Sequence, residues 1–181
     1  MTASANTVAK ALTDRLPDPT DVQVDRLLYL AQGHHLGWFG KPLFNAAITA
    51  TDRGPHVDLT SDTRGAEPGE AELNTVGFVV SRYGNLPARD LLVLIRHQSP
   101  YELAEAGRQA GHGAVIDVEV MRRHFAAAET AERREAGITP EVEAAVSAMV
   151  AGAHERLKDA VHEDTPDDLE RLRARVADHA R

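Results

Sequence analysis

Apolar residues recur along this chain with the period of a helix for most of its length. Val8, Leu12 and Leu16 share one face of a short helix over residues 6–16. The prolines of Leu-Pro-Asp-Pro-Thr-Asp at 16–21 break it. Thr20 then has the chemistry of an N-cap, with Gln23 three residues on to complete a capping box. Val24, Leu27, Leu28, Ala31 and Leu36 give the next helix a core-facing stripe. Gly37 and Gly40 are expected to end that helix, and Pro42 prevents its continuation.

The pattern changes between Asn45 and Glu70, where no helical period survives. Ile48–Thr51 fits a short strand, and Arg53-Gly54-Pro55 has the composition of a turn. Ser61–Gly69 reads as a polar surface loop. Helical spacing returns at Glu70–Tyr83 through Leu73, Val76, Val79 and Val80, and again at Arg89–His97 through Leu91, Leu92, Leu94 and Ile95. Ser99-Pro100-Tyr101-Glu102 predicts a helix start with Ser99 as N-cap, proline at the first helical position and glutamate in the first turn. Beyond it, Gly111–Phe125 reads as loop, a short strand near Val115–Val118, then helix.

After Phe125 the chain has no aromatic residue, and Ala, Glu and Arg dominate. Val142, Val146, Met149, Ala153, Leu157 and Val161 form one stripe, and Leu169, Leu172 and Val176 a second. Each segment opens on Thr-Pro, which suits an N-cap and first helical position. Two amphipathic helices are expected, and their narrow seams require burial against this domain, each other or a partner. The pattern therefore predicts a mainly α chain with short strands that changes character after Phe125 into a charged helical extension over 126–181.

Composition narrows the chemistry. A chain of 181 residues that is 43% hydrophobic can bury a real core. It has no apolar run long enough to span a bilayer and no apolar leader in its first ten residues, so a cytoplasmic location is the expectation. It has no cysteine, which removes thiol catalysis and cysteine-ligated zinc. The net charge is −8, with acids outnumbering bases on both sides of Phe125, so direct binding of nucleic acid is disfavoured.

Nine histidines raise the question of a metal. His34 and His35 lie about 100° apart on a helix and cannot easily share one ion. The first is expected exposed and the second partly buried. No H-E-x-x-H, G-x-S-x-G, Walker-type loop or G-x-G-x-x-G is present. Asp167-Asp168 falls at a helix start, where the macrodipole accounts for it. No cofactor, metal or catalytic set follows from the residues.

Trp38 and Phe39 either plug the core at a helix end or anchor a partner, as exposed aromatics do. Arg53, Gly54, Pro55 and His56 form either a structural turn or a recognition edge carrying a cation and an imidazole. Met149 and Leu157 mark the seam of the extension as a further candidate contact.

The stretch from Val24 to Val57 resembles the signature of the Panacea domain, the SocA-like antitoxin family. That signature joins a helix of the form lqKLLYyaQgwhL to gkpLF, a short strand and GPV. Its counterparts here are Leu27-Leu28-Tyr29, Gln32-Gly33, His35-Leu36, Gly40 to Phe44 and Gly54-Pro55. Tyr83-Gly84, Leu86, Leu91, His97, Pro100-Tyr101, Ile116, Met121 and Phe125 follow in the family's order, so the resemblance spans roughly residues 8–125. His34 stands where the family often has an aromatic, His56 where it has valine, and Arg96 where it has threonine.

The resemblance implies a helical domain with a small strand pair, and an antitoxin that neutralises a neighbouring gene's protein toxin by direct binding. It also implies a chain that is not an enzyme. The family serves many unrelated toxins, so it names none. The residues leave two other readings open. One is a phage-associated interaction protein, or an adaptor presenting a client to a protease, without a toxin. The other is a hydrolase or metal-dependent nuclease using His35, His56, His97 and acidic neighbours. Homodimerisation through the extension is a further expectation.

Overall fold

A computed structural model describes residues 2–60 and 66–162, with side chains in the last helix as far as Glu155. The predicted second stripe, Leu169, Leu172 and Val176, and the side chains of Leu157 and Val161 lie outside the described residues, as does most of the 61–69 loop. The described chain has seven helices and one three-stranded antiparallel sheet, so the helix-dominated class is correct. The elements are α1 (Ala5–Thr13), α2 (Asp21–Phe39), β1 (Ile48–Thr51), β2 (Gly54–Val57), α3 (Glu70–Tyr83), α4 (Ala88–Arg96), α5 (Ser99–Ala106), β3 (Ala114–Val115), α6 (Val118–Glu135) and α7 (Pro140–His162). They fall into two compact units, Met1–Glu132 and Arg133–Arg181, so the structural division lies inside α6.

The first unit is organised around α2. Eight consecutive residues, Arg26 to Gly33, are buried on every side, so this is a central helix and not one with a single inward stripe. Thr20 caps it by accepting from the Gln23 N–H at 3.2 Å. The Gln23 side chain does not return to Thr20 as a capping box would: it donates to the carbonyls of Gly84 and Leu86. Gly40, in left-handed backbone at φ +65°, closes the helix. Gly37 is not a terminator. It lies inside α2, where an added Cβ would come within 3.0 Å of the Phe125 backbone, and at Gly33 within 2.2 Å of the Phe125 ring. The two glycines let α6 approach, which is a packing role.

The sheet order is β2-β1-β3, with Ile48 opposite Val57 and Thr49 opposite Val115. The hairpin turn falls on Asp52-Arg53, one residue earlier than the sequence suggests, and Gly54-Pro55 begins β2. The strand predicted near 115–118 is Ala114–Val115, because Val118 already belongs to α6. Helix α5 begins with Gln98 in the N-cap position and no side-chain cap, so Ser99 does not cap it. On α4, Leu91 and Ile95 are buried, whereas Leu94 is exposed. In α6, Met121 and Phe125 face the core.

Candidate functional site

One buried amide explains why the resembling residues belong together. The Gln32 carbonyl oxygen accepts from the N–H groups of Leu43 at 2.9 Å and Phe44 at 3.2 Å, and its amide nitrogen donates to the Phe44 carbonyl at 3.0 Å. Strand-like backbone is thereby pinned to the central helix without exposing a polar group, and Leu43 and Phe44 are fully buried beside it. In the sequence Gln32 stands out only as one member of the family pattern. The available signal was a lone amide inside an otherwise apolar helical run.

The aromatic corner divides. Trp38 is half-buried: its indole N–H donates to Glu129 at 2.8 Å, and its ring lies 4.8 Å from Phe78 and 5.4 Å from His34. It therefore ties α2 to α3 and α6. Phe39, with 48% exposure, lies tilted against His35 with ring centroids 4.6 Å apart. His34 is not exposed as expected. It packs among Trp38, Phe78, Tyr83 and Phe125, and its Nε2 lies 3.0 Å from the Tyr83 hydroxyl. Burial, and then the Arg82 cation, push its pKa down to about 4. His35 is buried against the Thr75 hydroxyl at 2.8 Å.

The β1–β2 hairpin is held from three directions. The Tyr101 hydroxyl donates to the Thr51 carbonyl at 3.1 Å. Arg108 pairs with the Asp52 carboxylate at 2.6 Å, and with Glu105 on its own side. Arg26, buried in α2, donates to the Arg53 carbonyl at 2.8 Å and also to the Ala88 carbonyl. Gly54 takes φ +113°, a backbone conformation that glycine adopts readily because it has no Cβ. The backbone of the tip is thus fixed, while the Arg53 side chain points into solvent as an exposed residue.

Gly54 and Pro55 are buried, so they build the turn and do not present it. They also close the strand edge. Pro55 has no N–H, and the Val57 N–H donates to Asp25 at 3.2 Å. Addition of a partner strand along β2 is therefore blocked there. His56 is exposed, with Nδ1 2.9 Å from the same Asp25 carboxylate. The pair lines a groove of about 510 Å³ with residues of α1 and with Asp58–Thr60.

The candidate residues are not brought to one place. Arg53 and His56 share the hairpin, Trp38 and Phe39 end α2, and Met149 lies in the second unit. His35, His56 and His97 occupy separate elements, and no three His, Cys, Asp or Glu side chains are grouped to hold a metal among the described residues. Among those residues, too, no helix is long and apolar enough to cross a membrane. Compared with known proteins, the chain matches no protein-family model, no curated protein and no solved structure.

Proposed function

We propose that this chain is a protein-binding antitoxin that neutralises a toxin encoded beside it by direct contact. The observation that carries the reading is the hairpin. Tyr101 and Arg26 hold its backbone carbonyls and Arg108 its Asp52 carboxylate, yet Arg53 and His56 remain exposed on it. A pre-ordered tip loses little conformational freedom on docking, which is how a recognition element gains affinity. The resemblance to Panacea domains supplies the biological role. The residues that carry it, Gln32, Leu43, Phe44, Gly54 and Pro55, serve as scaffold, so partner choice falls to the exposed positions around them. An overall charge of −8 suits a basic toxin, since complementary fields speed encounter.

Co-expression with the adjacent gene tests the proposal. The neighbour alone is expected to arrest growth, this chain to relieve the arrest, and Arg53→Glu to lose the relief while its melting midpoint stays unchanged. A neighbour that is harmless alone, or that remains toxic beside the wild-type chain, sinks it.

A further inference from the structure

The groove beside Asp25 and His56 is built by α1, the start of α2 and residues 56–60, and encloses about 510 Å³, an ordinary size for a binding cleft. Ala9 and Val57 are buried in its floor, with Val24 and Leu59 half-buried beside them, so the floor is apolar. The donors along its walls are spent on the protein itself. The Asn6 amide donates to the Leu59 carbonyl, the Thr13 hydroxyl to the Ala9 carbonyl at 2.9 Å, and the Thr60 hydroxyl to Asp58 at 2.6 Å. The Lys10 ammonium is matched by Asp14. His56 sets Nδ1 against Asp25, and a carboxylate only accepts, so Nδ1 carries the proton and Nε2 of the neutral ring is an acceptor. The Asp25 oxygens take one donor each, from Val57 and His56, and each has a lone pair left. The Asp21 carboxylate is exposed and has no ion pair among the described residues. The lining thus presents acceptors over an apolar floor.

We propose that this groove receives an arginine of a basic protein partner, with its guanidinium on Asp21 and Asp25 and an apolar neighbour of that arginine on the floor. A guanidinium is all donor and no acceptor, the complement of this lining. The charge balance agrees. Residues 6–25 and 56–60 hold five acidic residues against Lys10 and Arg15, and Arg15 turns back onto the Ala11 carbonyl at 2.8 Å. Arg26, next in sequence, is buried with its guanidinium on the carbonyls of Arg53 and Ala88. A metal ion does not fit, because no three of these groups are gathered to hold one among the described residues. An added strand does not fit either, since Pro55 and Asp25 close the β2 edge, so the partner enters by its side chains. The inference rests on the antitoxin reading only for the source of the arginine.

Titration of the full chain with acetyl-Leu-Arg-amide, followed by amide NMR shifts, tests it. Shifts are expected at Ala9, Val24, Val57 and Leu59. The citrulline counterpart, which has a neutral urea in place of the guanidinium, is expected to bind at least about tenfold more weakly. Asp21→Lys is expected to lose the preference for arginine while its spectrum away from the groove stays native, which separates lost binding from lost fold. Co-expressed with the adjacent gene, the same variant is expected to fail to relieve arrest. Shifts elsewhere or none, equal binding of the two peptides, arginine binding unchanged in Asp21→Lys, or relief of arrest by that variant as by wild type each overturns the proposal. Arginine binding by a wild-type chain that does not neutralise its neighbour supports the groove and overturns the antitoxin reading alone.

Discussion

His34 is a neutral imidazole kept among four rings, and acid attacks it by an asymmetry between the folded and unfolded chain. Folded, its pKa lies at about 4; unfolded, it returns to the ordinary value of 6.5. Above pH 6.5 both states are neutral at this site and it contributes nothing. Between 6.5 and 4 the unfolded chain binds a proton that the folded chain refuses, so stability falls as pH falls, by about 3 kcal/mol over the whole window. His35 and His124, both pushed down chiefly by burial, add in the same direction. Denaturant titrations at pH 7 and pH 5 are expected to show the loss, and His34→Phe to reduce it; an unchanged slope in the variant removes His34 as its source. This residue was misread from sequence because helical geometry places it off the main core stripe. Three of the four rings that cover it, Phe78, Tyr83 and Phe125, come from α3 and α6, which no local pattern around position 34 reveals. Gln32 was legible as a motif member, but its bonds to Leu43 and Phe44 needed the folded chain.

At the scale of elements, periodicity located the helices well, because each buries a face whose spacing is written locally. Glu70–Tyr83 was read at its observed bounds. What failed were signals with two physical uses. Glycine can end a helix or let another helix approach, and Gly37 does the second, for a partner nearly ninety residues later. A Ser-Pro pair can cap a helix or merely begin it, and α5 takes Gln98 as its cap residue. The glycine reading gives an experiment in signs. Gly33→Ala puts a Cβ 2.2–2.6 Å from three atoms of the buried Phe125 ring, which outweighs alanine's helix preference of about 1 kcal/mol, so a net loss of about 1–3 kcal/mol is expected. Gly77→Ala, at an exposed position of α3 with nothing within 4 Å, is expected to gain up to about 1 kcal/mol. Chemical denaturation of both variants checks the pair. Equal signs contradict a close approach of α2 and α6.

For the whole molecule, the change in composition after Phe125 marks where aromatic residues stop, and the compact unit continues to Glu132. The reason lies in what the next turns of α6 supply. Glu129 accepts the Trp38 indole N–H, and Glu132 pairs with Arg82 at 2.7 Å. These are polar tasks on a charged, alanine-rich stretch, so composition assigns the stretch to the extension while its contacts belong to the core. A chain ending at Glu135 keeps both partners; one ending at Phe125 keeps neither. The Arg82 pair is exposed and contributes little. The indole N–H is half-buried, and leaving it without an acceptor costs about 1–3 kcal/mol. The chain of 135 residues is therefore expected to melt within about 2 °C of the first unit's transition in the full protein. The chain of 125 is expected to melt lower by at least about 4 °C. Glu129→Ala in the full chain is expected to reproduce part of that loss, and Glu129→Gln, which retains an acceptor oxygen, to avoid most of it. If both truncated chains melt together, the second half of α6 is dispensable and the domain ends where the aromatic residues do.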